Sequence, residues 1–137
     1  MWIAFAFGSA LFAGLTAILA KCGIKNTDSN VATALRTIVV LIFSWIMVFV
    51  VGAQNGITTL TGKTIVFLVL SGLSTGASWL CYYRALQIGP ASVVVPIDKL
   101  SILVTIAFSY VVFHEKLTVK AGIGLLLIVA GTMLLLV

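Results

Sequence analysis

The stretch Ala91-Ser-Val-Val-Val-Pro96-Ile-Asp98-Lys99-Leu-Ser-Ile-Leu-Val-Thr-Ile-Ala-Phe-Ser109 decides how this chain is read. It is apolar on both sides of an aspartate–lysine doublet. With its continuation to Phe113 it exceeds the roughly 20 residues that a helix needs to cross a bilayer. Charge at that depth costs roughly 2.5–3.5 kcal/mol per group on insertion scales, so it is turned toward protein or a wet cavity. Pro96 removes a backbone donor and kinks or breaks the helix that contains it. A broken helix beside intramembrane charge points to a site for a solute, and so to a transport device.

The rest of the chain agrees with a membrane setting. Of its 137 residues 62% are hydrophobic and 8% charged, where soluble domains carry about 25% charge. A soluble fold of this composition would expose large apolar patches. The expectation is one all-α integral membrane domain over residues 1–137, with five transmembrane helices near Trp2–Ala20, Val31–Gly52, Thr64–Tyr83, Ala91–Phe113 and Val119–Val137. The connections hold turn and polar residues: 26–30, Gly52–Gly56, Gly89-Pro90 and His114-Glu-Lys116. Barrel strands would alternate in polarity, and these runs do not. Lys21 ahead of Cys22, and the lack of a basic leading segment, argue against a cleaved signal, so residues 1–20 are expected to remain a span.

Several function classes fall away. The net charge of +5 comes from singly placed cations with no basic run, which excludes a nucleic-acid interface and suits anchoring at lipid headgroups. Cys22 and Cys81 lie far apart, without the clustered His or Cys of a metal or redox centre. No nucleophile–base pattern and no phosphate loop is present, so neither an enzyme nor a cofactor is expected.

An odd number of spans puts the termini on opposite sides. Lys21, Lys25 and Arg84, with Arg36 slightly inside, then face Lys63, Lys116 and Lys120 across the membrane. Orientation follows the excess of Lys and Arg in short cytoplasmic loops. So even a distribution predicts dual topology, unless one determinant in the first helix sets the direction. Many carriers contain two inverted repeats around a midplane site. No internal repeat is visible here, so a second copy in antiparallel orientation would supply the other half.

At 100° per residue, Asp98, Ser101, Thr105 and Ser109 fall within about 80° on the fourth span, and Lys99 sits about 100° from Asp98. On the third span Ser71, Ser74, Thr75, Ser78 and Tyr82 share a face about 100° wide. Two hydroxyl-rich faces would line one cavity; alternatively each hydroxyl bonds back to its own helix. Arg36 and Asp98 lie at similar depths, roughly 8 and 10 Å, so they can pair if their spans are neighbours. Otherwise Arg36 snorkels to the interface and Asp98–Lys99 is a structural pair. Asp98 is the candidate for proton coupling. Trp79, Tyr82 and Tyr83 form either an interfacial belt or a stacking wall for an amphipathic or cationic solute. Gly72 and Gly76, and Gly124 and Gly131, would permit close helix contacts.

The run Trp79-Leu-Cys-Tyr82-Tyr83-Arg84-Ala85-Leu86-Gln-Ile-Gly-Pro90-Ala91-Ser92-Val-Val-Val-Pro96 resembles the EamA-type branch of the drug/metabolite transporter superfamily. The resemblance extends to His114-Glu115-Lys116-Leu117-Thr118, to Gly122 and Gly131, and to Arg36. It implies one five-helix half of an inverted-repeat transporter, an antiparallel pairing, and a central cavity between the third and fourth helices. The Asp98-Lys99 doublet departs from the commonest pattern of that family. The first helix also lacks the carboxylate on which small multidrug exporters rely.

The resulting expectation is a secondary transporter of a small metabolite or an amphipathic or cationic compound. It would work by alternating access as an antiparallel homodimer in a bacterial or archaeal inner membrane. Asp98, Lys99, Arg36, Ser71, Ser74, Thr75, Ser78, Trp79, Tyr82, Ser101 and Thr105 would form the substrate or coupling site, with Pro96 as the helix break. The alternatives are a non-transporting subunit of a larger membrane complex, and a channel.

Overall fold

Hydrocarbon offers backbone N–H and C=O groups no partner outside their own segment, so long apolar runs fold as helices. A computed structural model of the chain describes residues 2–114 and 118–136. The helices are α1 (Trp2–Gly23), α2 (Ser29–Val51), α3 (Gly62–Ile88), α4 (Ala91–Asp98), α5 (Ser101–Phe113) and α6 (Val119–Leu134), with a 3-10 helix over Ala53–Thr59. No strand occurs among the described residues. Among the described residues four stretches are long and apolar enough to cross a membrane: α1, α2, α3, and Ala91–Val112, which takes in α4 and nearly all of α5.

The expected fifth span differs from what is found. Helix α6 has 16 residues, about 24 Å at 1.5 Å per residue, against about 30 Å of hydrocarbon. Glu115, Lys116 and Leu117, in the connection expected before the last span, lie outside the described residues. The third span also differs, being longer than expected. Ala85, Leu86 and Gln87 are strong helix formers, so α3 runs to Ile88 and stops only at Gly89-Pro90. Arg84 is therefore helical rather than part of a loop. At the head of α2 the Asp28 side chain caps the helix, accepting from the N–H groups of Asn30 at 2.8 Å and Val31 at 3.4 Å. At its other end Gly52 adopts φ 75°, ψ 23°, a left-handed conformation that costs glycine little.

The chain divides into two compact units, residues 18–88 and residues 1–17 with 89–137. In the first, α2 packs along α3. The end of α1 is laced to the end of α3 by polar ties. Lys21 Nζ donates to the Leu86 carbonyl. The Gln87 amide donates to the carbonyls of Thr27 at 2.8 Å and Ile24 at 3.3 Å. Ile24 and Leu86, the largest fully buried side chains described, belong to this lacing.

In the second unit α4 packs against α6. Between α4 and α5 the chain tightens rather than unwinds. Lys99 N–H bonds to the Pro96 carbonyl at 3.1 Å, Leu100 N–H to Ile97 at 2.9 Å, Ile102 N–H to Lys99 at 3.1 Å and Leu103 N–H to Leu100 at 2.9 Å. These are three-residue bonds, the 3-10 pattern. Pro96 has no N–H to give and its ring crowds the carbonyl one turn back; the helix changes pitch at Lys99 and Leu100, just downstream.

Few apolar side chains are buried: among the described residues only Ala17, Ala20, Ile24, Tyr83 and Leu86, while Trp2 and Phe5 are 76% exposed. Lipid tails are as apolar as leucine, so spanning helices have no hydrophobic drive to hide such groups. Directed polar ties should then carry much of the stability. Gln87→Ala is expected to lower unfolding free energy by about 1–2 kcal/mol, through carbonyls left without a donor, in a denaturant titration in micelles. An unchanged midpoint would remove the lacing from the account of stability.

Candidate functional site

Arg36 stands seven residues into α2, about 10 Å from the helix start. Its guanidinium lies 4.0 Å from the centroid of the Trp79 ring and 5.6 Å from that of Tyr83. Trp79 and Tyr83 sit one turn apart on α3, so a single helix face presents both rings. The negative face of an aromatic ring attracts a cation by about 0.5–1 kcal/mol when exposed and about 2 when desolvated. This is how a charge inside an apolar span is held without a carboxylate.

Beside this stack runs a groove of about 430 Å³ between α2 and α3. Thr37 and Ser44 line it from α2, and Ser71, Gly72, Thr75, Gly76 and Trp79 from α3. The glycine pair does not seat a neighbouring helix in this chain. A Cβ built at Gly72 or Gly76 would meet nothing within 4 Å, and the same holds at Gly124 and Gly131. Lacking side chains, Gly72 and Gly76 leave the groove open. Its hydroxyls donate inward: Thr75 to the Ser71 carbonyl at 2.9 Å, Thr37 to Thr33 at 2.8 Å and Ser44 to Val40 at 2.7 Å. What they offer the groove is oxygen lone pairs.

The other unit carries a second polar surface. Lys99 Nζ and Asp98 Oδ2 are 3.4 Å apart, with the two side chains 58% and 37% exposed. The helical wheel separates these neighbours by about 100°, yet the long lysine stem bridges that angle where α4 ends. The carboxylate offered to Arg36 on grounds of depth is thus engaged by Lys99. Lys99, Ser101 and Thr105 line a hollow of about 560 Å³ with Ile102 and Ile128. Thr105 donates to its own Ser101 carbonyl at 3.2 Å.

The candidate residues are therefore distributed over both units. Ser71, Thr75 and Trp79 share the groove beside Arg36, and Lys99, Ser101 and Thr105 share the hollow. Ser74 and Ser78 are exposed on α3 and do not line the groove. The Tyr82 ring meets Tyr83 edge-on at 6.3 Å. Thr37 and Ser44 escape a search for charged or clustered polar residues. Their seven-residue spacing puts them on one helix face, the signal that would have found them.

The EamA-like transporter family matches residues 1–137, the whole chain. The chain belongs to that family. A Sinorhizobium protein named as an uncharacterized transporter of the cobO 3′ region is 43% identical over 134 residues, 98% of this chain and 95% of its own length. An uncharacterized protein of Methanocaldococcus jannaschii is 31% identical over 103 residues, covering 69% of this chain and 75% of that protein. A Proteus mirabilis protein named as a probable 4-amino-4-deoxy-L-arabinose-phosphoundecaprenol flippase subunit, ArnE, is 31% identical over 86 residues, 63% of this chain and 76% of its own. No solved structure matches the chain. This EamA-like chain is a multi-pass integral membrane transporter of the drug/metabolite transporter superfamily. Its relatives come from bacteria and an archaeon, in keeping with an inner cell membrane.

The Arg36–Trp79 stack should register as a coupling. In a double-mutant cycle of Arg36→Met with Trp79→Leu, unfolding in micelles is expected to show about 0.5–2 kcal/mol of interaction. Strict additivity would mean that the rings do not hold the guanidinium.

Proposed function

We propose that the chain is a secondary carrier supplying one half of a two-part transporter, the other half being a second copy inserted in the opposite sense. One observation carries this reading. The Asp98–Lys99 pair sits within an apolar stretch, yet both side chains remain part-exposed on the surface of the single chain. Charge at membrane depth needs protein or water over it. A second half that rocks against the first around a shared cavity supplies both. The near-even split of Lys and Arg across the membrane supports two insertion directions.

The substrate is a small metabolite or an amphipathic or cationic compound. The residues proposed for substrate or coupling are Asp98, Lys99, Ser101 and Thr105, and Arg36, Ser71, Ser74, Thr75, Ser78, Trp79 and Tyr82. Pro96 sets the change of pitch that lets α4 move on α5. Coupling to an ion gradient fits a chain without a nucleotide-binding motif. A second reading draws on the Proteus mirabilis relative, named as a flippase subunit: the covering half is then a different chain.

Purified protein in vesicles is expected to take up a fluorescent lipophilic cation down an imposed gradient. Asp98→Asn should reduce that uptake at least tenfold without loss of folded protein. Uptake and pH profile unchanged by the substitution would remove the carboxylate from the mechanism. C-terminal reporter fusions should give signal on both sides of the membrane. Signal from one side alone, with a stoichiometric unrelated partner on purification, would establish the second reading instead.

A further inference from the structure

Where α2 begins and α3 finishes, the 18–88 unit carries a pocket of about 540 Å³ lined by Asp28, Ser29, Asn30, Leu80, Cys81 and Arg84. It is separate from the groove beside Arg36, and its inference does not rest on transport. Its floor and walls bring a carboxylate and a guanidinium to one cavity, and the two do not form an ion pair; the pair found among the described residues is Asp98–Lys99. Each charge is instead held from behind. Asp28 Oδ1 accepts from two backbone N–H groups at the head of α2, at 2.8 and 3.4 Å, so the other carboxylate oxygen is left for a ligand. Arg84 Nη1 donates to Gln87 Oε1 at 2.8 Å. Gln87 is in turn fastened to the Thr27 and Ile24 carbonyls. The guanidinium keeps most of its donors after that bond.

The pocket's depth matters as much as its charge. Asp28 is the residue before α2 and Arg84 lies four residues, about 6 Å, from the end of α3. That is the headgroup layer, where the bilayer widens from about 30 Å of hydrocarbon to about 40–45 Å in all. Two opposite charges braced apart on one cavity match a ligand that carries both signs. We propose that this pocket binds a headgroup bearing a phosphodiester and a primary ammonium. The phosphate lies in the fork of Arg84, for which a guanidinium is suited by shape. The ammonium donates to the open oxygen of Asp28. Leu80 provides the apolar wall where the headgroup joins its chain. A choline headgroup offers no N–H to the carboxylate, and a glycerol headgroup brings no cation. The same chemistry comes from a membrane phospholipid or from soluble glycerophosphoethanolamine.

The full-length protein, released from micelles into a native mass spectrometer with equal amounts of phosphatidylethanolamine, phosphatidylglycerol and phosphatidylcholine, tests this. Wild type is expected to retain the ethanolamine lipid at least fivefold over each of the others. Asp28→Asn keeps the helix cap, since Asn caps as well as Asp, and should abolish the preference over phosphatidylcholine. Arg84→Lys keeps the charge but loses the fork, and should weaken retention severalfold; Arg84→Gln should weaken it further at an unchanged melting temperature. Millimolar glycerophosphoethanolamine that displaces the lipid would show that the headgroup alone is recognised. Failure to displace, with the preference intact, would assign the site to the membrane lipid. Equal retention of all three lipids by wild type, or a preference untouched in both Asp28→Asn and the Arg84 variants, overturns the proposal.

Discussion

Inside a bilayer no solvent stands ready to accept or donate a hydrogen bond, so each polar group must be answered by the protein itself. The local detail of this chain follows from that. At Pro96 the backbone loses a donor, and the chain shifts to three-residue bonds over the next turn instead of opening. The hydroxyls of Thr37, Ser44, Thr75 and Thr105 turn back onto their own helices. The last turn of α3 reaches across to carbonyls beyond the end of α1. Arg36, Asp98 and Lys99, charges set well inside the apolar stretches, are answered in two ways. Arg36 is laid on the faces of Trp79 and Tyr83, while Asp98 and Lys99 answer each other.

Those two answers differ in what they leave undone. Arg36 is half-covered by rings of its own unit, with an open groove of hydroxyl oxygens beside it. The Asp98–Lys99 pair is neutral as a pair, yet exposed on the chain that carries it. A family built for transport has reason to keep polar groups incompletely satisfied, because a solute or a partner then completes them.

Much of the architecture could be read from residue order. The uninterrupted apolar runs, the Gly89-Pro90 stop and the proline at position 96 are local signals, and helices in lipid obey local signals closely. The limits were local as well. Tyr83 and Arg84 look like the edge of a span because aromatic and basic residues often mark one, but the following Ala85-Leu86-Gln87 prolongs the helix. The length of the final run suggested a full crossing, whereas α6 closes at Leu134. The partner of Arg36 was harder to foresee. A depth argument ranks carboxylates first, and the choice of Trp79 depends on how α2 lies along α3, which no single-helix periodicity contains. The same holds for the glycines of α3, where the spacing permits contact but only the neighbouring surfaces decide between a seat and an opening.

The shortness of α6 carries a consequence for the membrane around it. At about 24 Å it falls some 6 Å below a typical hydrocarbon layer. Each ångström of mismatch costs a fraction of a kcal/mol, met by local thinning or by a shift of neighbouring segments. A helix of that length would match a thinner bilayer than α1, α2 or α3 would, so acyl-chain length would bear on how α6 is seated.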